Sequence, residues 1–176
     1  MIITKSIFQP LNSCNMKKLL TFCFLLAVLL TTSLKSFSQA FKNGDNLLNA
    51  TIGVGNSFGG LGLGASFEHG FSDYISAGGS VDYLGLGSLY GTGSLLYLAA
   101  RGSYHAGELL KVNDKLDPYI GAGLGYLSWP GTGSGTSGLF FQGHIGARYY
   151  FADNLAGVAE VGAGAAALKL GITLKF

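Results

Sequence analysis

Apolar and polar positions alternate along most of the chain beyond residue 40. A period of two puts successive side chains on opposite faces of a β-strand. In the last segment Leu168, Leu170, Ile172, Leu174 and Phe176 share one face, and Lys169, Gly171, Thr173 and Lys175 the other. The same pattern predicts strands over Asn46–Gly55, Leu61–Phe71, Tyr74–Leu84, Ser94–Ala106, Pro118–Leu127, Leu139–Phe151 and Leu155–Gly164. Each has about ten residues, the length a tilted strand needs to cross a bilayer.

The connections alternate in character. Phe71-Ser72-Asp73 and Ala152-Asp153-Asn154 are tight polar turns, whereas 85–93 and 128–138 are longer and rich in Gly, Ser and Thr. Short turns at one end and longer loops at the other suit an up-and-down barrel. The stretch from Gly107 to Asp117 is charged and long for a turn, and fits that scheme least well. No apolar run beyond residue 40 reaches the roughly 18 residues of a transmembrane helix.

Alternation alone does not say which face meets water. Composition decides it, because only 11% of the residues are charged while 48% are hydrophobic. A soluble domain usually carries about 25% charged residues. Here the polar face is small and glycine-rich, so it is expected to line a lumen. The apolar face, with Phe67, Tyr83, Tyr104, Tyr126, Tyr149 and Phe176 near strand ends, is expected to meet lipid, since aromatic girdles mark the two interfaces. An even strand count lets both edges pair, leaving no open edge in hydrocarbon.

Met16-Lys17-Lys18, the apolar run Leu19–Leu30 and the ending Ser38-Gln39-Ala40 have the three parts of a secretory signal. Cleavage is expected after Ala40, with Met16 the start of translation. That divides the chain into an N-terminal extension and signal peptide, 1–40, and a barrel domain, 41–176. Both cysteines, Cys14 and Cys23, fall in the first part, so the mature chain needs no thiol chemistry. Four of the 11 basic residues (Lys5, Lys17, Lys18 and Lys35) precede residue 41 and all nine acidic ones follow it. The remainder therefore carries a net charge of −2, with no basic stripe for nucleic acid.

The terminal pattern Lys169-x-Gly171-x-x-Leu174-x-Phe176 resembles the C-terminal β-signal of outer-membrane proteins: polar, x, Gly, x, x, hydrophobic, x, aromatic. Together with the signal peptide and the glycine-rich strands, 41–176 resembles the small OmpX-like or OmpA-barrel-like outer-membrane proteins. The resemblance implies an all-β, eight-stranded antiparallel transmembrane barrel in the outer membrane of a Gram-negative bacterium. It also implies insertion by the barrel assembly machinery, which reads Gly171, Leu174 and Phe176. Outer-membrane lipid and lipopolysaccharide are then the expected surroundings of a monomer.

Motifs that would mean chemistry lack their settings. Gly55-Asn56-Ser57-Phe58-Gly59 matches G-x-S-x-G, but no helix follows to make a nucleophile elbow. The glycines at 133, 135 and 138 match a dinucleotide fingerprint, but they open an aromatic strand. His69, His105 and His144 are scattered, without metal-ligand spacing. No metal, cofactor or catalytic group is expected. More telling are the inward residues Glu68, Asp82, Arg101, His144, Arg148, Glu160 and Lys169, with Lys175 on the same face. Arg148, Glu160 and Lys169 lie on three consecutive strands and are expected to pair with one another. A narrow lumen must pair or hydrate such charges, so a plug is expected. The function expected first is a non-enzymatic one in surface structure or interaction. A small-solute pore is the alternative, favoured by a slot along the inward Gly62, Gly64, Gly121, Gly123 and Gly125. A lipid-modifying enzyme comes third, since the sequence clusters no acid, base and nucleophile.

Overall fold

Hydrogen bonding between consecutive antiparallel strands runs the full circuit and closes on itself. The computed structural model describes residues 40–55, 61–85, 94–129 and 137–176. They form β1 (Asn46–Val54), β2 (Gly62–Gly70), β3 (Ile75–Gly85), β4 (Ser94–His105), α1 (Gly107–Leu110), β5 (Leu116–Ser128), β6 (Gly138–Ala152), β7 (Leu155–Ala163) and β8 (Leu168–Lys175). Each strand pairs with its chain neighbour, and β1 pairs with β8, giving a closed barrel. The closing ladder runs from Leu47 opposite Lys175 to Val54 opposite Leu168. Closure leaves no unpaired edge, the condition for strands to cross a bilayer. No helix among the described residues is long and apolar enough to cross a membrane.

The polarity is inverted relative to a soluble barrel. Leu139 and Phe141 are 76% and 82% exposed, while Glu68 and Arg148 are both at 0%. Leu48, Ile52, Leu63, Val81, Leu98, Ile120, Ile145 and Ile172 also face outward, as alternation requires. The girdle aromatics Phe67, Tyr83, Tyr104, Tyr126, Tyr149 and Phe176 are all exposed on the outer face.

The strands begin and end close to the expected positions, with one instructive shift. β5 starts at Leu116 rather than Pro118, and the segment before it contains the single helical turn α1. Pro118 lacks an N–H, but on the outward parity its position costs no lumen contact, and the strand runs through it. Asp117, expected in a turn, is therefore the first inward residue of β5 and is 1% exposed.

Residues 1–39, with the expected signal peptide, lie outside the described residues, as do Asn56–Gly59 of the G-x-S-x-G match and residues 133–136 of the glycine fingerprint.

Candidate functional site

Two arginines organise the centre of the lumen. Arg148, from β6, is 0% exposed and sends its guanidinium to three strands. Nη1 donates to Asp117 Oδ2 at 3.0 Å, Nη2 to Glu68 Oε1 at 3.2 Å and Nε to Asn49 Oδ1 at 3.3 Å. Its cation also lies 4.0 Å from the Tyr119 ring centroid. Arg101, from β4, bridges Glu68 at 3.2 Å and Glu160 at 2.7 Å. Glu68 Oε2 accepts from Ser76 Oγ at 2.8 Å and Ser103 Oγ at 2.7 Å. Tyr119 Oη donates to Glu160 at 3.1 Å, and Thr173 Oγ1 to Asn49 at 2.6 Å. Every strand contributes at least one side chain to this network.

Buried charges persist only where partners replace water. The sequence-derived set of Glu68, Asp82, Arg101, His144, Arg148, Glu160 and Lys169 does line the lumen, but the pairing differs from expectation. Arg148, Glu160 and Lys169 do not bond one another. Glu160 pairs with Arg101, Arg148 with Asp117 and Glu68, and Lys169 with Asp82 at 2.7 Å. Glu160 and Lys169 are even directly opposite in the β7–β8 ladder. The reason is geometric. The interior of an eight-stranded barrel is about as wide as the side chains that fill it, so a long side chain reaches across as easily as sideways.

Sequence reasoning missed Asp117, Asn49, Ser76, Ser103 and Tyr119. Parity gives the signal for Asp117: it lies two and four residues before the inward Tyr119 and Gly121. The uncharged members carried no signal beyond their place on the polar face.

The inward glycines leave no slot. A side chain at Gly64 would meet Asp82 and Thr51, one at Gly121 the His144 ring, one at Gly123 Gln142, and one at Gly125 Phe140. Their absent side chains make room for larger neighbours that fold over them. Between Asp82, Arg101, Glu160 and Lys169 a cavity of only about 10 Å³ remains. Gln142 Nε2, His144 Nδ1 and Tyr150 Oη are buried without a hydrogen-bond partner among the described residues.

Both ends of the polar centre are closed by apolar groups. At one end Leu84, Leu95, Tyr97 and Ala165 cluster, with Leu127, Trp129 and Phe140 against them. At the other, where β1 begins and β8 ends, residues 40–45 fold over the mouth. The Phe41 ring stacks on His105 with centroids 3.5 Å apart, and Gly70 provides the space, since a side chain there would meet that ring. Lys175 Nζ holds the segment through Ala40 O at 3.2 Å and Asp45 at 3.6 Å. Ala40, the expected cleavage position, is itself 5% exposed.

Beneath Phe41 the structure assembles a group that the sequence did not reveal. Ser76 Oγ lies 2.9 Å from His105 Nε2, and His105 Nδ1 lies 2.8 Å from Asp117 Oδ1. That is the order of a nucleophile, base and orienting acid. Its surroundings differ from those of a hydrolase. Ser76 is 0% exposed, and its one proton is sought by Glu68 as well as by His105. The described His, Asp and Glu residues form no group of three or more suited to a metal ion.

Outside the lumen the mouth of the barrel is decorated by the β4–β5 connection. A cavity of about 380 Å³ lies there, lined among others by Phe41, Asp73, His105, Glu108, Lys111 and Asp117. The nearby Glu108 carboxylate raises the pKa of the Tyr74 phenol above its ordinary value.

Of the assembly-signal positions, Lys169, Gly171 and Leu174 lie on β8 in the ladder that closes on β1, and Phe176 continues it through backbone hydrogen bonds with Asn46. Gly171 faces inward so close to β1 that a side chain would meet the backbone of Ala50 and Thr51.

This closed, outward-apolar barrel of eight antiparallel strands is the fold of the small outer-membrane barrels. Neither a protein-family model nor a curated protein matches the chain. Solved structures do. One comes from the de novo design of transmembrane β-barrels, at 25% identity and a TM-score of 0.56, covering 77% of this chain and 98% of that one. The outer membrane protein OprG from Pseudomonas aeruginosa is similar at 15% identity and a TM-score of 0.57, over 79% of this chain and 99% of its own. The N-terminal β-barrel domain of Pseudomonas aeruginosa OprF is similar at 20% identity and a TM-score of 0.50, over 77% and 99%. The fold implied by the resemblance to OmpX-like and OmpA-barrel-like proteins is the fold observed.

Proposed function

We propose that the protein is a monomeric integral protein of the Gram-negative outer membrane, with a non-enzymatic role in surface structure or interaction. The observation that carries this reading is the lumen: charged side chains paired across a filled interior, with apolar groups over both ends. Such an interior stabilises a rigid cylinder and offers no passage. The loops at the end remote from Phe41 are then the contact surface. In this reading the mature chain starts at Phe41, and the barrel assembly machinery recognises Gly171, Leu174 and Phe176. Outer-membrane lipid and lipopolysaccharide surround the apolar belt.

The non-enzymatic part rests on Ser76, His105 and Asp117. An acyl carbon needs an open approach to the serine oxygen and donors for the developing oxyanion. Ser76 has no exposed surface. A fluorophosphonate probe should therefore leave Ser76 unlabelled in the folded barrel, and labelling of that residue would return the protein to the enzymes.

Membrane fractionation tests the whole reading. The protein should sediment with outer-membrane vesicles and migrate on gels in a heat-modifiable way, with Phe41 found as its first residue. Recovery in the soluble periplasmic fraction would overturn the proposal.

A further inference from the structure

The β4–β5 connection is tied down more firmly than a loop of its length requires. Leu110 N donates to Ala106 O at 2.9 Å, Lys111 N to Glu108 O at 3.1 Å and Val112 N to Gly107 O at 3.2 Å. Asn113 Oδ1 accepts from Lys115 N at 2.9 Å. A single turn is not stable as a helix by itself, so this one depends on what surrounds it. Its two sides differ. Gly107, Glu108, Lys111 and Val112 line the mouth of the barrel, as positions three and four apart on a helix should. Leu109 and Leu110 do not line it, and they are 66% and 59% exposed. Those values match the outward leucines of the lipid-facing wall, such as Leu63 at 60% and Leu139 at 76%.

What lies near this turn identifies the occupant. Tyr74, whose phenol feels the Glu108 carboxylate, stacks on Tyr104 with centroids 6.2 Å apart and planes at 13°. Tyr104 is an outward girdle residue at the end of β4, with exposed Ile75 and Ile120 directly opposite it on the flanking strands. The leucine pair thus continues the apolar belt past its aromatic rim. We propose that α1 is an interfacial anchor, with Leu109 and Leu110 inserted into the phospholipid leaflet that borders the Phe41 end of the barrel. This rests on the membrane-barrel reading and adds to it a second, non-strand contact with lipid. The anchor holds the connection outward, which keeps Glu108 and Lys111 at the rim of the mouth.

Fluorescence quenching tests the anchor in the full mature barrel. Trp129 is the only tryptophan, so W129F provides a silent background for L109W, L110W and, as a reference on the lipid-facing wall, I172W. Each variant is folded into phosphatidylcholine vesicles brominated at shallow or deep acyl positions. The anchor requires short-wavelength emission from L109W and L110W, quenched most by shallow bromines, with I172W quenched most by deep ones. Long-wavelength, unquenched emission from both leucine positions beside a quenched I172W would overturn the anchor and leave the barrel reading standing. An unquenched I172W in a heat-modifiable barrel would overturn both. Should W129F fail to fold, nitroxide labels on L109C and L110C answer the same question without altering Trp129. Greater accessibility to oxygen than to a water-soluble nickel chelate supports the anchor, and the reverse order overturns it. Emission that shifts only when periplasmic proteins are added would assign the leucines to a protein partner and likewise overturn the lipid proposal.

Discussion

Glu68 carries more of the lumen than any other carboxylate in the described network. It is 0% exposed and holds both Arg101 and Arg148, with Ser76 and Ser103 on its second oxygen. Glu68→Ala leaves two buried cations each short of a partner. Breaking a buried pair from one side costs about 3–5 kcal/mol, and that loss is expected in urea unfolding from lipid vesicles. Glu160→Ala should cost less, because Glu160 is partly exposed and Arg101 keeps Glu68. Replacing Glu68 and Arg148 together by apolar residues should cost less than the sum of the single changes, since neither charge is then stranded. Asp82 and Asp117 share no partner, and their alanine variants should add within about 0.5 kcal/mol. Equal losses for Glu68→Ala and Glu160→Ala would mean that water reaches the centre and screens both.

On the scale of the strand, the alternation decides which substitutions are tolerated. Gly121 faces inward, where a side chain would meet the carbonyl of Gly102 and the His144 ring, while outward-facing Gly143 has nothing within 4 Å. Gly121→Ala should therefore destabilise the barrel by about 1–3 kcal/mol through overpacking. Gly143→Ala should fall within about 0.5 kcal/mol of the wild type. Ile172→Arg places a charge in hydrocarbon at a cost of about 2–4 kcal/mol near the midplane. Vesicle folding yields and unfolding midpoints of these three variants check the face assignment, and equal effects at Gly121 and Gly143 would contradict it. The faces were legible in the sequence because parity is local: one residue fixes the side of its neighbours. Pairing was not legible, because Arg101 meets Glu160 and Arg148 meets Glu68 across the lumen, and no ladder register encodes those contacts. The inward glycines misled for a different reason, because their occupants stand directly opposite them in the β5–β6 ladder. Gly121 and Gly123 read as vacant positions along their own strand, whereas His144 and Gln142 of the next strand occupy that space. Asp117 was hidden by Pro118, which looks like a strand boundary until β5 is seen to begin at Leu116.

For the whole molecule the question is passage, and the answer follows from three barriers in series. An ion entering at the Phe41 end meets a ring stacked on His105. At the opposite end it meets the cluster of Leu84, Leu95 and Tyr97 with Trp129 and Phe140. Between them it finds cross-lumen ion pairs and a cavity of about 10 Å³, room for roughly one water molecule. An ion cannot keep its hydration shell in such a space, and the carboxylates and guanidiniums that would have to replace the shell are already paired. The wild-type barrel in planar bilayers should therefore show no resolvable conductance steps. Glu160→Ala should stay silent as well, because it enlarges only the middle compartment and leaves both apolar closures in place. Phe41→Ala opens one end alone and should also fail to conduct, although it should expose His105 to modification by diethylpyrocarbonate. Openings are expected only when both closures and the centre are breached together, as in Phe41→Ala combined with Tyr97→Ala and Glu160→Ala. Steady channels in the wild type would show that the cross-lumen pairs part readily in a bilayer, and the small-solute pore would then replace the plugged cylinder.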